Sequence, residues 1–266
     1  MTEVRDQISA SPGKGRAGST ISTAMAVDRI RKMTDGIIED VERAIDLQTA
    51  LEAGNNTIRE IQGDAPALSF YGAYGYEAIR FGLTVSLVLT LAKLFDPAKL
   101  FVSRAKKGTR WRANKSDIVS IPLLVRLLKQ RRCQAFLGKH ARGWTPTLDH
   151  METVHEESAI GAANAAVAAY EDFRRTREGR SAARILKIFR NHNLAHRLLG
   201  KSAPAPQYRE LFLLLDVAAK VAEKARLAVT GVSWDVKDSR DVRTMHSKAF
   251  WDPAIRGVIE ANRRLR

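Results

Sequence analysis

Apolar residues recur at spacings of three and four along most of the chain, which is the helical period. No segment reads convincingly as a strand ladder. The first run predicts a helix from near Ser22 to Ala53, with Ile30, Met33, Ile37, Ile38, Val41 and Ile45 inward. The cluster Gly54-Asn55-Asn56 is expected to end or interrupt it. A second helix is predicted from about Pro66 to Phe95, stopping at Asp96-Pro97 because proline pushes its predecessor out of the helical region. Its second half is apolar nearly all round, which predicts a central place in a bundle.

Basic residues 98–116 read as a loop, in which Trp111 either stacks on a base or anchors the loop to the core. A third helix is predicted from near Ser120 to Gly138, with Pro122 in its first turn. Thr147 is a candidate N-cap for a fourth, reaching about Arg177, whose alanines from Ala162 to Ala169 allow close packing. A fifth is expected from Arg180 or Ser181 to Leu199, with Gly200 as its stop, and a sixth from Gln207 to Val229, with Gly231 beyond. A short last helix is expected after Pro253. The fold class is all-α: a multi-helix bundle of about six to eight helices. Residues 1–21 read as a disordered basic N-terminal segment, 22–231 as the helical domain and 232–266 as a C-terminal extension.

Composition adds a partner class. The 266 residues hold 44 Lys and Arg against 29 Asp and Glu, a formal charge of +15. Residues 99–143 carry 13 basic side chains and one acid, Asp117; residues 174–201 carry nine and one acid, Glu178. These segments contribute +12 and +8, so the rest of the chain is net −5. Two concentrated basic segments point to a polyanion: nucleic acid, an anionic membrane surface or an acidic protein. The charge-free apolar run between Arg80 and Lys93 is 12 residues, too few for the roughly 20 that span a bilayer. With one cysteine, Cys133, no intramolecular disulfide forms, and with no apolar signal-peptide core the expected location is cytoplasmic.

Residues 190–196, Arg-Asn-His-Asn-Leu-Ala-His, bring an arginine, a polar residue and a histidine within two turns of helix. Arginine binds phosphate through a planar fork of donors, and histidine exchanges protons near neutral pH. That is a minimal set for cutting a phosphodiester without a metal. A base removes the proton of the RNA 2′-hydroxyl, the oxygen attacks the adjacent phosphorus, and an acid protonates the leaving 5′-oxygen. His196 would be that base or that acid, Arg190 would stabilise charge on the phosphoryl oxygens, and Asn191 would orient the phosphate or the histidine. Arg184, Lys187, Arg197 and Lys201 are either RNA-backbone contacts or a solvated basic face. Glu77 and Asp96 are acids that could pair with Arg190.

One relation opposes this reading. Residues six apart on an ideal helix are separated by about 600° of rotation, or roughly 120° on the wheel. Arg190 and His196 then do not share a face, and His196 falls with Ile185, Phe189, His192 and Leu199 in the apolar stripe. A dimer cleft or a helix irregularity near Asn191–Asn193 would bring the pair together. His192 and His196 also form His-x(3)-His, but no glutamate follows His192 and there is no cysteine cluster, so neither metal nor other cofactor is expected.

Arg190-Asn191-x(4)-His196 resembles the signature of the HEPN superfamily. The ending Leu91-Ala92-Lys93-Leu94-Phe95-Asp96-Pro97 and the run Asn193-Leu194-Ala195-His196-Arg197 resemble its abortive-infection AbiU-like branch, with Asn193 where a lysine is common. The resemblance spans roughly Ile30 to Val229. It implies a metal-independent ribonuclease working as a homodimer, with Arg and His of both copies in one cleft, in toxin–antitoxin or phage-defence systems. A cognate antitoxin is an implied partner. In some relatives a partner nucleotidyltransferase modifies a tyrosine just after the histidine; Arg197 and Leu198 stand there in this chain. Two rival readings stay open: a non-catalytic RNA- or nucleotide-binding HEPN protein, and a helical regulator that holds an acidic partner.

Overall fold

A computed structural model describes residues 21–62, 73–96, 118–145, 147, 149–191 and 205–264. Among them are eight α-helices and no strand: α1 Thr23–Gln62, α2 Ala73–Leu94, α3 Ile121–Leu128, α4 Arg131–Ala141, α5 Glu152–Arg175, α6 Arg177–Phe189, α7 Tyr208–Thr230 and α8 Val236–Arg264. No described helix is long and apolar enough to cross a membrane. The expected loop at 98–116 and Trp111 lie outside the described residues.

The middle of the bundle is the α5–α7 pair. Ala159, Ala162, Ala163 and Ala166 of α5 are buried, as are Ala218, Ala222, Ala225 and Ala228 of α7. Methyl groups on both helices let the two axes approach closely. Around this seam α1 contributes Ile30, Ile37 and Ile45, α2 contributes Leu87, Leu91 and Leu94, and α3 contributes Leu124 and Leu128. Each is fully buried, and burial of such a side chain contributes about 1.5–3 kcal/mol relative to exposure.

The boundaries of α7 follow from local signals. Gln207 and Glu210 form a reciprocal capping box at its start. Gly231 ends it with φ +72°, a left-handed conformation that suits glycine. A Cβ on Gly231 would also lie 2.6 Å from the Trp144 ring.

Elsewhere tertiary contacts override the local signals. The Gly54-Asn55-Asn56 cluster does not end α1, which continues to Gln62. Gly54 lets the Trp251 ring sit so close that an added Cβ would be 3.2 Å from it, and the Tyr76 hydroxyl donates to Asn55 Oδ1 at 2.7 Å. The cluster is a seat for aromatic rings from α8 and α2. The short helix expected after Pro253 is instead part of α8, 29 residues long with Pro253 inside it. Proline in a helix interior costs ~3 kcal/mol. Against that cost stand the burial of Trp251 and Ile255 with Ala53 and two polar ties to α1. Thr57 Oγ1 donates to Asp252 Oδ1, and Arg243 Nε donates to Asp46 Oδ1 at 2.6 Å.

The expected third helix is divided at Lys129–Gln130 into α3 and α4. Gln130 is extended and its carbonyl accepts from the amides of Cys133 and Gln134, which starts α4. Cys133 is buried, and burial pushes its thiol pKa up against the opposing pull of Arg132. α2 is central only in part: Leu87, Val88, Leu91 and Leu94 are buried, while Phe81 is 70% and Tyr74 94% exposed.

Candidate active site

The site begins at the turn between α5 and α6. Thr176 is extended; its amide still donates to Asp172 O and Phe173 O at the end of α5, and its side chain serves both helices. The Thr176 hydroxyl donates to Phe173 O at 2.8 Å and accepts from the Gly179 amide at 3.0 Å. Gly179 is forced by space, because a Cβ there would sit 2.1 Å from Phe173 O. The guanidinium of Arg180 donates back to the carbonyls of Arg174 and Arg175, which α5 leaves without partners at its end. These contacts fix the direction in which α6 leaves α5.

Along α6, Arg180, Arg184, Lys187 and Arg190 follow one another at spacings of four and three, so they lie on one face. That face meets the end of α2 and the last turns of α5 around a pocket of about 370 Å³. From α2 come Ala92, Phe95 and Asp96, and from α5 come Tyr170 and Arg174. Phe95 is held from below by Phe173, ring centroids 5.7 Å apart. Lys93 Nζ donates to Asp40 Oδ1 at 3.0 Å and ties this end of α2 to α1.

Arg190 sits at the inner edge of the pocket with 31% of its side chain exposed. Its Nη1 donates to Asp96 Oδ2 at 3.3 Å, and its Nε donates to Asn191 Oδ1 at 3.1 Å. Of the two acids that the sequence offered as partners, Asp96 holds it; Glu77 pairs with Arg80 on its own helix. At Arg190 and Asn191 the helix widens from α to π geometry, an irregularity frequent at functional sites. Burial raises the pKa of the Tyr170 hydroxyl, while the charges of Arg174 and Arg126 pull it down.

The structure thus brings Arg184, Lys187, Arg190 and Asn191 to one place. His192, His196, Arg197 and Lys201 lie outside the described residues. Sequence reading missed Arg174, Arg180 and Tyr170 as site residues. The four- and three-residue spacing from Arg180 to Arg190 would have found the α6 cations. Arg174 opens the basic segment 174–201, whereas nothing local marks Tyr170; the α5–α6 turn brings both to the site.

Such a pocket, with several cations around one arginine gripped by a carboxylate, suits an anion bearing phosphate oxygens. A family model for HEPN proteins, the AbiU2 model, matches residues 65–250, more than two thirds of the chain. The chain belongs to the AbiU2 family of HEPN domains. No curated protein matches it, and no solved structure does.

Proposed function

We propose that this protein is a metal-independent endoribonuclease, a HEPN effector of the toxin or phage-defence kind acting in the cytoplasm. The observation that carries the proposal is the Arg190–Asp96 pair at the edge of a pocket lined by further cations. Family membership supports a role related to nucleases and abortive infection.

In this reading the scissile phosphate lies against Arg190. Asp96 and Asn191 hold the guanidinium by two different nitrogens, leaving its remaining donors for phosphoryl oxygens. The 2′-oxygen bonds to phosphorus as the bond from phosphorus to the 5′-oxygen breaks. His196 takes the proton from the 2′-hydroxyl or gives one to the 5′-oxygen, and a second group does the other. The products are a 2′,3′-cyclic phosphate and a free 5′-hydroxyl. Arg184, Lys187 and Arg174 hold neighbouring phosphates, and Arg197 and Lys201 extend that set along the motif segment. A second copy of the chain supplies the other half of the cleft, and an antitoxin restrains it.

The test is incubation of RNA with the purified protein in EDTA. Cleavage by wild type that both Arg190→Ala and His196→Ala abolish is the expected result. Cleavage of DNA, which has no 2′-hydroxyl, or retention of RNA binding without any cutting, overturns it.

A further inference from the structure

The pocket beside Arg190 is more than a phosphate clamp requires. Its volume, about 370 Å³, falls in the range of small-molecule pockets, roughly 300–1,000 Å³. Its composition is divided. Arg174, Arg184 and Lys187 supply charge, whereas Ala92, Ala183 and Leu186 supply an apolar lining. Two rings, Phe95 and Tyr170, complete that lining, and Phe95 is braced by Phe173. A phosphate gains nothing from methyl groups and ring faces. A flat aromatic ligand joined to a phosphate uses both kinds of wall at once.

We propose that this cavity is a nucleobase subsite: one base of single-stranded RNA leaves the stack and inserts beside Phe95 and Tyr170, while its flanking phosphates stay with the cations. The inference rests on the ribonuclease reading and deepens it, because it makes the site read a base as well as a backbone. Ala183 and Ala92 are the specificity-determining positions, since a larger side chain at either would fill the space. Ala183 is the position to test, being only partly buried, whereas Ala92 is 5% exposed and belongs to the core. Duplex RNA, whose bases are stacked and paired, is excluded as the ligand of this subsite.

The test is equilibrium binding, kept apart from cleavage by a five-nucleotide RNA with 2′-fluoro sugars, which has no 2′-hydroxyl to attack. It is compared with the same oligonucleotide made abasic at its centre. Both carry the same backbone charge. Wild type is expected to bind the complete strand about 10-fold tighter or more, the usual scale for a stacked base. Ala183→Leu and Tyr170→Ala should each bring the two strands within about twofold of one another. An unchanged midpoint of urea unfolding shows that the variants are folded. Lys187→Ala should weaken both strands by the same factor. Equal binding of the two strands by wild type, with RNA cleavage intact, overturns the subsite and leaves the ribonuclease. No binding of either strand at moderate salt overturns the RNA reading itself, and the subsite with it.

Discussion

Arg190 Nη1 lies 3.3 Å from Asp96 Oδ2, joining two residues 94 positions apart in the chain. One ends the apolar helix α2 and the other closes α6. Among the described residues that line the pocket, Asp96 is the acid and the other charged side chains are cations. Its removal should therefore have two opposite effects. Asp96→Asn frees the fork of Arg190 to swing, which misplaces the charge that stabilises the transition state; kcat is expected to fall ~10- to 100-fold. It also removes a negative charge that repels phosphate, so KM should stay level or drop. Arg190→Ala should cost more, about 10²–10³-fold in kcat. Steady-state cleavage of a fluorescent RNA measures both, and a raised KM with unchanged kcat for Asp96→Asn would contradict the assignment.

The rim cations should behave as backbone contacts. Arg184→Ala and Lys187→Ala should each weaken RNA binding across sequences. Each should also lower the slope of log affinity against log salt by about 0.7, the single-strand value per neutralised phosphate. Titrations at several salt concentrations test this. A change confined to one RNA sequence would instead make the residue a base reader.

The α5–α6 turn should be unforgiving at one position and tolerant at its neighbour. Gly179→Ala drives a methyl group into Phe173 O, and no flexible side chain can yield there. A loss of more than about 2 kcal/mol in urea unfolding is expected. Thr176→Ala removes the cap but leaves the space unchanged, and a loss of about 1 kcal/mol is expected. If Gly179→Ala proved as mild as Thr176→Ala, the described geometry of the turn would be wrong.

Two half-buried phenols give the protein an alkaline limit. Burial raises the pKa of Tyr76 and Tyr170 above the ordinary 10.0. The folded state thus holds these protons more tightly than the unfolded state does. The resulting stability is full below the ordinary value and is lost as pH rises through the raised one. Urea midpoints should fall on that side of pH 10, and Tyr170→Phe should flatten the fall in part. An unchanged slope in that variant would remove Tyr170 from the account.

What the sequence shows of this fold divides by the range over which each signal acts. Signals that act within one turn were legible: a start at Gln207 and the stop at Gly231 place α7 within a residue at each end. Signals that depend on a distant partner were not. Gly54-Asn55-Asn56 reads as a stop until Trp251 and Tyr76 are seen to pack on it. Pro253 reads as a helix start until Ile255, Trp251 and Asp252 are seen to hold α8 against α1. The site divides in the same way. Arg184, Lys187, Arg190 and Asn191 share a short stretch and a charge run, so the sequence pointed to them directly. Arg174 belongs to the same charge run but reaches the pocket from α5, and Tyr170, also on α5, is added only by the three-dimensional arrangement.

The alanine seam between α5 and α7 bears on all of this from a distance. α5 carries Tyr170 and Arg174 in its last turns and hands its direction to α6 through a turn with no spare room. The separation of α5 from α7 is set by methyl groups, the smallest side-chain spacers available. The seam is thus a shim, and the pocket's aperture is adjusted by its thickness. A bulkier side chain at Ala163 or Ala222 would push α5 away from α7 and move the wall that carries Tyr170 and Arg174, with the lining itself unchanged.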